Sequence, residues 1–317
     1  MASAKPTGPA ALVLTASVAR RYYVDRVSKS DIAAELGLSR FKVARLLDHA
    51  HASGLVRIEL DYRGEIDLDR SVRLRAAYDL RHCVVIDSAD VDDTLLRANL
   101  GRVAAGLLAE IIEPDDVLGL AWARSLMAMK AALTRLAPCA VVQMTGALSR
   151  PDVDASSIEL VREVARISTG RAFYFYAPMI LPDAATAQAM RRQPEVSQAM
   201  AMWPRLTKAV IAVGGWEKGL STVADAITEQ EWREMHELGV RAEMGGIQID
   251  AGGTPIVTSI TDRMISIDAA QLRAVPEVMA IAYGTAKAPA VHAAIRGRFV
   301  TSLVTHASMA DALLERA

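Results

Sequence analysis

The sequence predicts an α/β protein in two parts: a helix-turn-helix unit of winged-helix-like type, followed by a doubly wound α/β domain. Three observations support this fold class. The chain has 317 residues, more than one compact core usually organises. An early segment contains two helical patterns joined at a glycine, and the rest of the chain alternates short apolar runs with helical stretches. We therefore expect a first domain over residues 1–62 and a second over residues 63–317.

The charge distribution differs between these two parts. Hydrophobic residues make up 52% of the chain and charged residues 23%, a globular composition that excludes a mostly disordered protein. The formal net charge is −1, but residues 1–57 carry +5 and residues 58–317 carry −6. A basic first part joined to an acidic second part indicates a module that binds a polyanion.

The first domain begins with two helix signals. Ala11–Asp25 is rich in Ala, Val and Leu, which favours an amphipathic helix. Ser28 or Ser30 can cap a short helix that runs through Leu36. Gly37 then permits a tight turn.

A second helix of the motif is predicted to begin after its cap Ser39 and to run to Gly54, a residue type that favours the end of a helix. The spacing suits two helices that cross at a steep angle. Ala33 is small enough for the crossing point, and Val43 and Leu46 provide apolar side chains beneath the second helix. These offsets predict a helix-turn-helix.

Five residues near the start of the second helix are candidates for DNA contacts: Ser39, Arg40, Phe41, Lys42 and Arg45. Arg40 and Arg45 suit guanine, while Lys42 and the helix N-terminus suit phosphate oxygens. The alternative is a helical hairpin with a solvated basic face, but spacing, turn, cap and charge together favour DNA binding. The alternating Leu55–Leu60 segment predicts a short wing-like strand.

The second domain shows the alternation of a doubly wound sheet, and Arg63–Asp69 is its expected boundary zone. Nearly continuous apolar runs predict parallel strands that are covered on both faces. The predicted strands are Cys83–Ile86, Val117–Trp122, Ala140–Met144, Ala172–Tyr176, Ala209–Val213, Val278–Tyr283 and Phe299–Thr305. The helices predicted between them include Asp93–Ile112, Ser125–Leu136, Ser156–Ile167, Ala286–Ile295 and Ser308–Arg316.

Polar or glycine residues follow three of these strands, where ligands of such sheets bind. Trp122–Ser125 opens a helix, and its free backbone N–H groups, with Arg124 and Ser125, suit an anion or a sugar hydroxyl. Thr145–Ala147 allows close backbone approach, and Gly284 with Lys287 opens another helix. Each feature alone is explained by turn or surface chemistry, but three together predict a site.

The sequence lacks the motifs that mark several other classes of functional site. The sequence has no dinucleotide-binding glycine motif after its first strand, no P-loop and no nucleophile elbow. Its six histidines show no ligand-like spacing, and Cys83 and Cys139 lie in apolar runs as small buried thiols. We expect no metal, no cofactor and no catalytic residues. The absence of a signal peptide and of a long apolar segment predicts a soluble, cytoplasmic protein without membrane contacts.

A set of segments in fixed order resembles a known family. The segments are ARRYYVDRVSKSDIAAELGLSRFKVARLL, VLGLAWARSL, VVQMTGAL, FYAP, KAVIAVGG and MAIAYGTAKAPAVHAAIRGRFVTSLVTHASMADALL. Together they resemble the SorC/DeoR family of bacterial sugar-responsive transcriptional regulators, from about Val18 to the C-terminus. The resemblance implies a helix-turn-helix, a sugar-binding domain similar to ribose-5-phosphate isomerase and glucosamine-6-phosphate deaminase, and a homo-oligomer, dimeric or tetrameric.

The resemblance also implies where the effector binds. The matching positions are Trp122, Ala123, Arg124, Ser125, Thr145, Gly146, Ala147, Glu243, Gly284 and Lys287. Ala123 and Ser125 stand where the family has Gly and Thr, and Tyr283 stands where it usually has Gly. A Cβ at position 123 hinders close approach of a phosphate to the backbone. An unphosphorylated sugar or polyol is therefore expected as an alternative effector to a sugar phosphate.

The leading hypothesis is therefore a regulator of a carbohydrate or polyol catabolic operon. Double-stranded operator DNA and a small sugar, polyol or sugar phosphate are its expected partners. One alternative is a sugar-phosphate isomerase or deaminase with a DNA-binding unit, for which Glu243 is the candidate general base. A DNA-bound scaffold without a ligand is a third reading.

Overall fold

The computed structural model describes residues 8–56, 65–87, 92–148 and 157–317. The chain divides into two compact units, Met1–Arg63 and Gly64–Ala317. We call these the N-terminal unit and the C-terminal unit, and each is described by itself. Residues 57–60 of the predicted wing strand lie outside the described residues.

The N-terminal unit consists of three helices over its described residues. They are α1 (Pro9–Tyr23), α2 (Lys29–Glu35) and α3 (Arg40–Ala52). The Ser28 hydroxyl accepts a hydrogen bond from the N–H of Asp31 and caps α2, and Ser39 does the same for Lys42 at the start of α3. Gly37 between the two helices has φ +63°, a conformation that glycine adopts without strain.

The core of the N-terminal unit lies beneath α3. Val43 is buried as predicted, but Leu46 packs only at the edge of the core. Leu46 and Leu47, three and four residues after Val43, both lie on its side of the helix. Leu47 takes the deeper position because it packs in the core that α1 and α2 complete. Ile32 of α2 and Val18 of α1 are fully buried against this face.

The C-terminal unit alternates strands and helices. Its helices are α4 (Leu68–Tyr78), α5 (Asp93–Ile111), α6 (Arg124–Ala132), α7 (Ser157–Ile167), α8 (Ala184–Arg191), α9 (Pro194–Met200), α10 (Thr222–Ala226), α11 (Glu229–Glu237), α12 (Ala269–Ala274), α13 (Ala288–Arg296) and α14 (Ala307–Leu314). Its strands are β1 (His82–Ile86), β2 (Val117–Leu120), β3 (Ala140–Gln143), β4 (Ala172–Phe173), β5 (Lys208–Ile211), β6 (Gly214–Gly215), β7 (Ala242–Met244), β8 (Ile247–Ile249), β9 (Glu277–Ile281) and β10 (Ser302–His306).

Seven strands form one sheet in the order β1-β10-β9-β5-β2-β3-β4, and every neighbouring pair is parallel. Each of the seven predicted strands overlaps one of these seven. The predicted ends run a few residues too far, as for Val117–Trp122, whose strand stops at Leu120. The doubly wound α/β class is confirmed.

Two apolar cores explain why the strand sequences are continuously hydrophobic. Along β5, Ala209 and Ile211 belong to one core, while Val210 between them belongs to the other. Helices α5, α6 and α7 cover the Val210 face, and α4, α13 and α14 cover the opposite face. Because successive side chains point to opposite faces and both are covered, every position in the strand favours an apolar residue.

A second, three-stranded antiparallel sheet has the order β6-β7-β8. This sheet was not predictable from the sequence, because its strands have only two or three residues and show no alternating pattern. This sheet carries Glu243. Among the described residues, no helix has the length and apolar character needed to span a membrane.

The packing of α5 on α6 depends on Gly101. A Cβ at this position would lie 2.5 Å from the carbonyl carbon of Ala128, closer than such atoms approach each other. We expect Gly101→Ala to destabilise the C-terminal unit by about 1–3 kcal/mol, because the helices would have to separate. Gly106 on the same helix is exposed with open space at its Cβ, so Gly106→Ala is the matched control and should stabilise the unit slightly. Thermal unfolding of both variants tests this, and equal melting temperatures would contradict it.

Candidate functional site

A crevice opens at the carboxyl ends of the central strands. In the order β9-β5-β2-β3, the helix that follows β2 is α6 and the helix that follows β9 is α13. Leu126 of α6 lies in one core and Val291 of α13 in the other, so the chain leaves these strands toward opposite faces. Such a reversal leaves a space outside the strand ends in which ligands of doubly wound sheets bind.

This space is a cavity of about 760 Å³, a volume that includes the part open to solvent. Eight of the ten effector positions from the sequence analysis line it: Trp122, Ala123, Arg124, Ser125, Thr145, Gly146, Glu243 and Lys287. Ala147 and Gly284 do not. The backbone of Ala147 is engaged with Ala177 and Met179, and the N–H of Gly284 donates to Nε2 of His306. The eight predicted residues in this cavity come from four separate segments of the chain.

The N-terminus of α6 faces the cavity with its polar groups available. Ala123 precedes the helix in an extended conformation, φ −161° and ψ 156°, which alanine adopts without strain, and its side chain provides no cap. The Ser125 side chain is 1% exposed, and its hydroxyl has no hydrogen-bond partner among the described residues. A buried hydroxyl without a partner costs free energy unless a ligand or water satisfies it.

Two cations, Arg124 and Lys287, lie at the cavity, and the described residues form no ion pair with either. Lys287 is half-buried, with its Nζ 5.0 Å from the centre of the Tyr283 ring. Burial lowers the pKa of Lys287, and the nearby Arg124 charge lowers it further, while Glu243 acts in the opposite direction. A bound anion would relieve the repulsion between the two cations.

Glu243 is the one carboxylate among the described residues that line the cavity. It is 6% exposed, and its Oε1 accepts a hydrogen bond of 2.9 Å from the Ser221 hydroxyl. The pairing of β6 with β7 sets Gly214 opposite Glu243, where a Cβ would lie 2.8 Å from Oε1. Burial raises the pKa of Glu243, although Ser221, the Gly246 N–H and Lys287 each favour its charged form.

This raised pKa predicts how Glu243 affects stability. The folded protein favours the neutral carboxyl, so its contribution to stability is fully present below the ordinary pKa of 4.5 and is lost as pH rises through the folded value. Glu243→Gln removes the buried charge and keeps an oxygen for Ser221. We expect its melting temperature to exceed that of the wild type increasingly between pH 5 and pH 8. A difference that does not change with pH would contradict this prediction.

Several residues that line the cavity were not predicted from the sequence. These are Leu148, Met179, Gly214, Leu220, Ser221, Thr222, Val223 and Tyr283, among others. Gly214 had a detectable signal, because it follows a predicted strand just as Ala123 and Thr145 do. Ser221 had none, because only the tertiary structure brings it to Glu243.

The candidate nucleic-acid surface is the outer side of α3. Ser39, Arg40, Phe41, Lys42 and Arg45 are all exposed, and the described residues form no ion pair with the three cations among them. Phe41 and Arg45 each lie two residues from the buried Val43, which corresponds to about 200° around the helix axis. They therefore share the side opposite the core, while Arg40 and Lys42 lie on its flanks. This geometry favours Arg45 over Arg40 for contacts to base edges.

The chain is similar to known proteins over more than nine tenths of its length. A family described as "Putative sugar-binding domain" matches residues 62–315. The transcriptional regulator YjhU of Escherichia coli strain K12 is 29% identical over 303 residues, 92% of this chain and 92% of its own. The deoxyribonucleoside regulator of Bacillus subtilis strain 168 is 24% identical over 304 residues, 95% of this chain and 97% of its own.

A solved structure extends the similarity to the fold of both units. The full-length sorbitol operon regulator SorC from Klebsiella pneumoniae matches with a TM-score of 0.73 at 23% identity, over 96% of this chain and 98% of its own. At this identity the likeness concerns the fold alone.

Proposed function

The chain belongs to the SorC/DeoR family of transcriptional regulators, and from this premise we propose that it binds operator DNA through α3 and releases or rearranges on that DNA when a small sugar-like effector occupies the cavity. Like its relatives, it is a transcriptional regulator and not an enzyme. The observation that carries the proposal is the cavity at the strand ends. Its two cations form no ion pair, and its Ser125 hydroxyl no hydrogen bond, with any residue that the structure describes, and α6 has no side-chain cap.

The charges of the cavity favour an effector that carries an anionic group. Arg124 and Lys287 outnumber Glu243 among the charged side chains that line it. The N-terminus of α6 adds the partial positive charge of a helix and backbone donors without a side-chain cap. An effector with a phosphate or carboxylate at this end would place its hydroxyl groups toward Ser221 and Glu243, a pair suited to both donors and acceptors.

The relatives' names narrow the chemistry further. SorC is named for a sorbitol operon and the Bacillus subtilis protein for deoxyribonucleosides. We propose that this chain responds to a polyol, a sugar or a phosphate ester of either, and that it controls genes for the breakdown of such a compound. A homo-oligomer with two α3 helices presented to neighbouring half-sites would bind its operator more tightly than one unit could.

The proposal is tested by ligand screening followed by DNA binding. Thermal shifts with sugars, polyols and their phosphates identify compounds that bind the folded protein. Each hit is then added to a complex with DNA selected from a random pool, since effector control requires that it change DNA affinity. A protein that selects no DNA sequence would refute the DNA-binding part, and hits that leave DNA affinity unchanged would refute effector control.

A further inference from the structure

The side chain of Phe41 is the most exposed large hydrophobic side chain among the described residues, with 83% of its surface open. It lies in the first turn of α3, directly after Arg40. Because it is four residues before Arg45, the two side chains are neighbours on the helix surface. Both point away from the core formed by Val43, Leu47 and Ala50.

The charged residues around Phe41 indicate what covers it. Arg40, Lys42 and Arg45 surround an apolar ring with three cations, and the described residues form no ion pair with any of them. A second copy of this chain would not fit, because a two-fold contact places the same surface on both sides and would oppose like charges. A polyanion that also offers an apolar group would fit both features.

Duplex DNA offers one such group at base edges in the major groove. The faces of the bases are stacked, so an aromatic ring in the groove meets only their edges. Those edges carry polar donors and acceptors, with the C5-methyl group of thymine as the apolar exception. We propose that Phe41 packs on the C5-methyl of a thymine in each operator half-site and thereby selects T·A at that position. The inference rests on the proposed function of α3.

The test removes only the methyl group. Each thymine of the selected operator is replaced singly by deoxyuridine, which keeps base pairing and all hydrogen-bonding groups. At one thymine in each half-site, this replacement should lower wild-type affinity about fourfold. That factor corresponds to the transfer free energy of about one buried methyl group. In Phe41→Ala the same replacement should have no effect. C·G at this position should weaken wild-type binding, and 5-methylcytosine should recover part of the loss.

The controls separate this inference from the proposed function. Val13, 68% exposed on α1, provides the matched variant Val13→Ala, which should respond to deoxyuridine as the wild type does. Phe41→Ala should keep the melting temperature and the oligomeric state of the wild type, since the residue is 83% exposed and buries little surface against the described residues. The inference fails if the wild type selects an operator but no deoxyuridine replacement lowers its affinity. It also fails if the replacement lowers the affinity of Phe41→Ala by the same factor. Dissociation of an oligomer by Phe41→Ala would also overturn it, whereas a wild type without any operator preference would refute the proposed function instead.

Discussion

Replacing Arg45 by alanine is expected to lower the preference for operator over scrambled DNA by about 5- to 150-fold for each half-site. This range corresponds to about 1–3 kcal/mol for a bidentate arginine–guanine contact. Arg45 has the geometry for such a contact, because it is exposed on the side of α3 opposite Val43 and is not held by an ion pair among the described residues. Binding to scrambled DNA should fall much less, since it loses only one charge.

Two further variants make this result specific. Arg45→Lys keeps the charge but lacks the planar fork, so it should retain the salt dependence of the wild type and still lose discrimination. Lys42→Ala, on the flank of the helix, should weaken operator and scrambled DNA by similar factors, as a phosphate contact does. The measurement is fluorescence anisotropy with both DNAs over a range of salt concentrations. Equal weakening of both DNAs by Arg45→Ala would assign Arg45 to the phosphate backbone.

Replacing Lys287 by methionine is expected to weaken binding of an anionic effector by about 10- to 150-fold. The range corresponds to about 1.5–3 kcal/mol for a hydrogen bond to a charged group. Burial and the Arg124 charge lower the pKa of Lys287, which means that its charged form is disfavoured there. A bound anion would stabilise that charged form. DNA affinity without effector should not change, and release from DNA should need correspondingly more effector.

The control for this variant is another lysine of similar burial. Lys130 lies in the last turn of α6 and does not line the cavity, so Lys130→Met should bind effector as the wild type does. Calorimetric titration with matched pairs of a polyol and its phosphate distinguishes the two effector classes. A loss confined to the phosphate would locate its anion at Lys287. Unchanged affinity for every hit would show that Lys287 takes no part in binding.

The positions of the sheet strands could be predicted because their cause is local. A strand covered on both faces needs apolar residues at successive positions, and this need is visible in Val278–Ile281 as it is in Val117–Leu120. The cap Ser39 was similarly predictable, because a cap acts within three residues of itself. For α2 the sequence left Ser28 and Ser30 open, and the structure has Ser28 as the cap. Strand ends were less accurate, since the turn chemistry that ends a strand leaves the apolar pattern unchanged.

Part of the candidate site was also within reach of the sequence. Trp122, Thr145 and Lys287 follow strands or open helices, and parallel strands bring such positions to one edge. Leu46 shows the limit of predicting burial from the sequence. Leu46 and Leu47 are equally apolar, and either one fits the buried face of the helix. Only the packing of α1 and α2 against α3 decides which of the two is buried.

By itself, the sequence determined the fold class, the basic helix-turn-helix pattern and the strand ends that carry polar residues. The tertiary structure decided which of those residues share one cavity, and it added Ser221, Gly214 and Tyr283 to them. It also made Glu243 a buried acid with a raised pKa. The reason is physical: backbone conformation and amphipathicity arise from neighbours along the chain, whereas burial, charge pairing and cavity shape arise from residues that are neighbours only in space.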